Sequence, residues 1–218
     1  MNAIIEMDNI RNNVNGSGIF IQVGAGAGDL DKRANCRDGF TEFIKSLPRD
    51  RIRKIILVEP NPMNIHLLRE CWKDYPEASI YEYAIVPNNI LTETIEFYYC
   101  KNDSPNYQVA SIKKEHVQMH YPNDEIDLMN IPTKTIERFF KEAIGNDMIE
   151  LLSLDIEGID AEILLDLPIN LNIKFLSFEY IHLREKEKDV NNFLTLNKYN
   201  FLGMGVDYNG FDKLYIKE

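Results

Sequence analysis

Continuous apolar runs alternate with amphipathic stretches along the chain. "IFIQVG", "KIILVEP", "SIYEYAIV", "MIELLSLDIEG" and "IKFLSFEY" have the length and the Ile, Leu and Phe content of strands buried on both faces. After the first of them, Phe40, Phe43, Ile44 and Leu47 recur at helical spacing in "FTEFIKSL", and Pro48 closes that helix. After the second, Met63, Leu67, Leu68 and Cys71 share one side of a helix in "NPMNIHLLRECWKDY", with Asn61 as its cap and Pro62 at its first position. "TKTIERFFKEAI", "DAEILLDL" and "EKEKDVNNFLTLNKY" predict three further helices, and "FLGMGVDYN" with "DKLYIKE" a closing hairpin. Strands alternating with helices imply an α/β fold: a mostly parallel central sheet covered on both faces, with an antiparallel edge.

The rhythm breaks once. "TIEFYYC" alternates like a half-buried strand, a long polar loop follows it, and "EIDLMNIP" reads as a further strand, so Leu91 to Ile131 is expected to be a β-rich insertion. A short leading helix over residues 2–13 is expected to end at "NGSG". With no repeat, linker or composition shift, residues 1–218 read as a single domain.

Composition narrows the function. The formal net charge of -11 repels polyanions, so no nucleic-acid partner is expected, and a small neutral or cationic substrate fits better. Cys36, Cys71 and Cys100 are odd in number and widely spaced, which suggests neither a disulfide framework nor a zinc site and points to a reducing compartment. The start of the chain lacks a basic n-region with an apolar core, and no run approaches the ~20 apolar residues of a membrane span. A cytoplasmic protein without membrane insertion is the expectation.

Candidate chemistry gathers at the predicted strand ends. Gly24, Gly26 and Gly28 follow the first strand directly, where an open parallel sheet binds ligands. Their G-x-G-x-G spacing places Asp29 where a dinucleotide fingerprint wants a glycine, and an acid beside a pyrophosphate would weaken binding. A ligand whose contact with this turn is cationic fits better. Glu59, just past the second strand, can accept both hydroxyls of a ribose. Ala84 and Ile85 offer an apolar surface for an adenine ring. Asp155 and Glu157 end the fourth buried strand, and Glu179 with His182 the fifth. Such acids serve as a general base with an orienting partner, as part of a Mg²⁺ site, or as caps of the short helix after "DIEG", and the spacing does not choose among these roles.

As a set, "VGAGAGD", "LVEPNP", "YEYAIV", "LLSLDIEGIDAEIL" and "LSFEY" resemble the FkbM-type S-adenosylmethionine-dependent methyltransferases, from Phe20 to about Lys217. The resemblance implies a Rossmann-like class I methyltransferase fold and transfer of a methyl group to a hydroxyl of a sugar, glycan or other small metabolite. It also implies that Gly24, Gly26 and Gly28 face the methionine part of the cofactor, Glu59 the ribose, Ala84 and Ile85 the adenine, and Asp155 the reaction centre, with Asn61 a further cofactor-binding candidate. Asp155 or His182 is then the expected proton acceptor, with Glu179 orienting it or joining Asp155 at a metal such as Mg²⁺. Gln22 stands where the family usually has an acid. If its amide meets the cofactor's ammonium, Gln22→Glu is expected to tighten binding. Tyr98, Tyr99 and Tyr107 are candidates to stack on a sugar, and Arg33 and Arg37 to meet an anionic acceptor. A nicotinamide-dependent oxidoreductase and a catalytically inactive binding module are the alternatives on the same fold.

Overall fold

In the computed structural model, residue 10 and residues 17–30, 38–104, 107–168, 170–205 and 210–218 are described. Apart from Ile10, the expected leading helix lies outside them, as do Arg33, Cys36 and Arg37. Strands β1 (Gly18–Val23), β2 (Ile52–Val58), β3 (Ala78–Tyr81), β7 (Ile149–Leu154), β8 (Ile173–Glu179), β9 (Tyr199–Met204) and β10 (Asp212–Lys217) form one sheet in the order β3-β2-β1-β7-β8-β10-β9. The first five run parallel, and β10 pairs antiparallel with both β8 and β9. Strand order reverses at β1, which carries β2 on one side and β7 on the other.

The period-two alternation of β1 separates two cores. Ile19, Ile21 and Val23 face the layer that contains α4 (Ile136–Ala143), α5 (Asp160–Leu165) and α6 (Glu187–Leu196), through Phe139, Phe140, Ile163, Leu164, Val190 and Leu194. Phe20 faces α1 (Gly39–Ser46) and α2 (Pro62–Cys71), through Phe40, Phe43, Ile44 and Leu68. Each fully buried phenylalanine contributes ~1.5–3 kcal/mol through removal from water. Gln22 lies at the same alternation as Phe20 and is buried.

The middle of the chain differs from expectation in three places. "SIYEYAIV" is not one strand: β3 ends at Tyr81, and β4 (Ala84–Val86) joins β6 (Ile126–Thr135) and β5 (Thr94–Cys100) in a separate sheet, order β4-β6-β5. The reason lies in its neighbour. Tyr81 pairs with Val58, Glu59 N donates to Tyr81 O, and Pro60 then has no N–H to continue the ladder. Thr133 to Thr135, read as the start of a helix, close β6 instead, and the Thr135 hydroxyl caps α4. The polar loop contains a helix, α3 (Lys114–His120), whose buried residues are His116 and Val117. Half of its inward face is therefore an imidazole, which apolar periodicity does not register. The closing hairpin forms as β9 and β10, with residues 206–209 of its turn outside the described residues. No helix among the described residues is long and apolar enough to cross a membrane.

Candidate active site

A cavity of about 480 Å³ opens at the carboxyl ends of β1, β2, β7 and β8, beside the point where strand order reverses. That is where open α/β sheets bind ligands, and the volume suits a small organic molecule. Gln22, Gly24, Gly26, Gly28, Glu59, Asn61, Ala84, Ile85, Asp155, Glu179 and His182 all line it. The fold therefore brings together these candidates from five separate segments. The insertion supplies a wall through Phe97, His120 and the segment from Tyr107 to Ile112. Among the three candidate tyrosines only Tyr107 reaches the cavity; the Tyr98 hydroxyl is tied to Glu96, and Tyr99 packs edge-on against Tyr107.

The three glycines do different work. All have positive φ, but a side chain on Gly24 would stand 1.7 Å from the backbone oxygen of Asp155, and one on Gly28 would stand 2.7 Å from Cys71 Sγ. Both approach the protein itself. Gly26 has nothing within 4 Å of that position and faces open cavity. Glu59 fastens this turn: its Oε2 accepts from Gly26 N at 2.7 Å and its Oε1 from Asn61 N at 2.8 Å. Burial pushes its carboxyl up to about 7, against the opposing hydrogen bonds from Asn61, Gly26 and the Asn64 side chain. Three donors leave one of the carboxylate's four acceptor sites for a ligand hydroxyl. Asp29, the acid that argued against a pyrophosphate, forms an ion pair with Lys45 at 3.1 Å.

Gln22 does not stand in for a missing acid; it holds one. Its Nε2 donates to Asp38 Oδ1 at 3.0 Å, and Asp38 also lines the cavity. Asp38 caps α1, accepting from Phe40 N and Thr41 N, so this carboxylate is fixed by the helix it starts. The signal was present in the sequence as Asp38-Gly39 before an apolar-periodic helix. A glutamate at position 22 would set two carboxylates against each other, a cost in stability separate from the expected gain in cofactor binding. That variant is expected to lose ~1–2 kcal/mol of stability near neutral pH by like-charge repulsion, or roughly 2–8 °C in melting temperature. The deficit should shrink as pH falls toward 4 and one carboxyl takes a proton; thermal melts across that range check it.

At the opposite wall, Asp155 N is bonded to Val23 O at 3.0 Å, so the end of β7 is locked to the end of β1. Glu157 follows with a φ of 44° and places Oε2 2.7 Å from Nε2 of His116. Burial pushes the Glu157 carboxyl up to about 8, with Asp160 and Asp103 adding repulsion. One proton lies between Glu157 Oε2 and His116 Nε2, carried by either partner. His182 Nε2 lies 3.5 Å from Glu179 Oε1. His116 and His120 reach this cluster from α3, and burial together with His116 pulls the His120 imidazole below its usual range. Neither histidine was singled out from the sequence, where the spacing H-V-Q-M-H was its one available sign.

The match to known proteins agrees with this geometry. Residues 22–202 match the Methyltransferase FkbM domain. The chain belongs to the FkbM methyltransferase family. No curated protein sequence matches it. The crystal structure of methyltransferase FkbM from Methylobacillus flagellatus KT has a TM-score of 0.52 at 14% identity, over 92% of this chain and 43% of that one. This FkbM domain thus spans less than half the length of that relative, and the likeness is one of fold. Two others have TM-scores of 0.45: a putative RNA methyltransferase from Pyrococcus horikoshii, at 9% identity over 91% and 68% of the two chains, and precorrin-6y C5,15-methyltransferase from Geobacter metallireducens GS-15, at 12% over 91% and 70%. The sheet of this FkbM domain is the expected Rossmann-like one with an antiparallel edge.

Proposed function

We propose that the chain is an S-adenosylmethionine-dependent O-methyltransferase acting on a hydroxyl of a sugar or another small, uncharged metabolite. The observation that carries this reading is the cavity over Gly26. It has the size of a nucleoside-containing ligand, and it is lined by buried polar atoms that lack a partner among the described residues: Gln22 Oε1, Asn61 Nδ2 and Asn64 Oδ1. Buried polar atoms without partners are costly, and a polar ligand relieves that cost. The residues fit the cofactor. Gly26 allows close approach, Gln22 Oε1 offers an acceptor and Asp38 a negative charge to an ammonium, Glu59 accepts from a ribose hydroxyl, and Ala84 with Ile85 presents the apolar face an adenine needs.

When bound, S-adenosylmethionine supplies a methyl on a sulfonium, so that methyl transfer to an acceptor oxygen breaks the C–S bond and leaves a neutral thioether. The chain's own residues then position the acceptor in line and remove its proton. Asp155, which follows β7 and lines the cavity beside the glycine turn, is the proposed proton acceptor. Phe97 and Tyr107 wall the acceptor end with aromatic surface suited to the apolar face of a sugar. The insertion is thus the proposed acceptor wall, and the net charge of -11 disfavours a polyanionic acceptor.

Calorimetric titration with S-adenosylmethionine, S-adenosylhomocysteine and NADH tests the reading. Binding of the first two and not the third is expected; binding of NADH alone would establish the oxidoreductase alternative. Asp155→Asn is expected to lower methyl transfer by at least ~100-fold, the usual contribution of a general base, while leaving S-adenosylhomocysteine affinity within a few-fold. Turnover equal to that of the unaltered protein would remove Asp155 from this role.

A further inference from the structure

Three of the chain's four histidines converge on one spot. His116 and His120 stand one turn apart on α3, and His182 comes from the loop after β8. The ring centroids of His116 lie 4.9 Å from those of His120 and 4.7 Å from those of His182, and His120 and His182 are 5.7 Å apart. One ligand nitrogen from each lies within 4.8 Å of the others, and Glu157, Glu179 and His182 form a second such triad that shares His182. Packing three imidazoles together gains little by itself, since charged rings repel one another, whereas neutral imidazoles are ready ligands for a shared metal ion.

We propose that His116, His120 and His182 bind a divalent transition-metal ion of the zinc class at the acceptor end of the cavity, with Glu157 and Glu179 ordering two of the imidazoles. Three arguments support it. Two histidines at i and i+4 on a helix present their rings on one side, the arrangement that holds zinc elsewhere. Glu157 Oε2 is 2.7 Å from His116 and Glu179 Oε1 is 3.5 Å from His182, as in carboxylate–histidine–metal relays. Imidazole donors favour zinc, cobalt, nickel or copper, whereas magnesium prefers an oxygen shell. Asp155 stands outside both triads, so this donor set differs from the Mg²⁺ site expected from Asp155 and Glu179. Nitrogens around one zinc stand ~3.3 Å apart for Zn–N bonds of ~2.0–2.1 Å, so binding draws the rings inward by up to ~1.5 Å.

His120 and His182 line the same cavity as the glycine turn, which leaves an open coordination position facing the acceptor. There the ion would bind the acceptor oxygen and favour loss of its proton to Asp155; this role rests on the methyltransferase reading, whereas binding of the ion does not.

The full chain, stripped with chelator, is titrated with Zn²⁺, Co²⁺ and Mg²⁺ by calorimetry, with Co²⁺ also followed by visible absorption. Stoichiometric uptake of Zn²⁺ and Co²⁺, intense bands of a low-symmetry cobalt site, and no measurable Mg²⁺ uptake are expected. His120→Ala, exposed at the last position of α3, should weaken Co²⁺ binding by at least ~100-fold, and the exposed His66→Ala should not change it. Absent uptake, an unaltered affinity in His120→Ala, or preference for Mg²⁺ would overturn the proposal. S-Adenosylhomocysteine is titrated in the same preparation. Its binding without metal uptake overturns the metal site alone; metal uptake without it supports the site and removes the methyltransferase reading.

Discussion

Gly24→Ala is expected to cost upward of roughly 4 kcal/mol and to lower the melting temperature by about 8–16 °C. The added methyl would stand 1.7 Å from the backbone oxygen of Asp155, and a φ of 86° is strained for any L residue. No flexible side chain can yield, because the obstacle is backbone held by the bond from Asp155 N to Val23 O. The junction of β1 and β7 must open, and the cavity floor opens with it. Gly26→Ala makes the contrasting case. Its methyl meets nothing within 4 Å, so the cost is the ~1–2 kcal/mol of a left-handed conformation, or roughly 2–8 °C. The methyl projects into the cavity, and S-adenosylhomocysteine affinity is expected to fall at least ~10-fold by lost close approach. Thermal melts paired with calorimetry on the two variants separate a glycine that packs protein from one that admits ligand. Equal melting temperatures would contradict the packing of Gly24, and an unchanged affinity in Gly26→Ala would move the cofactor away from the turn.

Glu59→Gln is expected to remove a pH dependence as well as affinity. Burial holds the Glu59 carboxyl at about 7 against an ordinary value of 4.5, so the folded state binds its proton more tightly than the unfolded chain. Its contribution to stability is therefore complete below pH 4.5 and is lost as pH rises through about 7, a change of about 3 kcal/mol. The difference between melting curves of the unaltered protein and Glu59→Gln should carry that slope, since the neutral amide does not titrate. Ribose hydroxyls donate to the ionised carboxylate, so binding favours the charged form and S-adenosylhomocysteine affinity should rise as pH passes through 7. In Glu59→Gln the amide nitrogen must face either Gly26 N or Asn61 N, donor against donor, and one ribose acceptor is gone. Affinity should drop on the order of 10- to 100-fold, the worth of a hydrogen bond to a charged group, and its pH dependence should flatten. A variant that kept both affinity and slope would release Glu59 from the ribose.

Much of this fold was legible in one dimension because burial on both faces leaves a simple trace. β1, β2, β7 and β8 are continuous apolar runs, and their ends carry the glycines, Glu59, Asp155, Glu179 and His182 that line the cavity. α3 was invisible for the opposite reason: two of its seven residues are buried, and one of those is a histidine. The break between β3 and β4 was equally hidden, since the apolar pattern of "SIYEYAIV" continues across it while the partner strand does not.

The sequence by itself determined the alternation of strands and helices, the glycine turn, and the acids at strand ends. These follow from local spacing, from backbone that only glycine adopts easily, and from the water-averse runs between. The tertiary structure decided which atoms these groups address. Gly24 and Gly28 meet protein while Gly26 meets the cavity, Gln22 fixes Asp38, and His116 and His120 join His182. Those relations link residues far apart along the chain. They depend on packing and on helix direction, which no local pattern encodes.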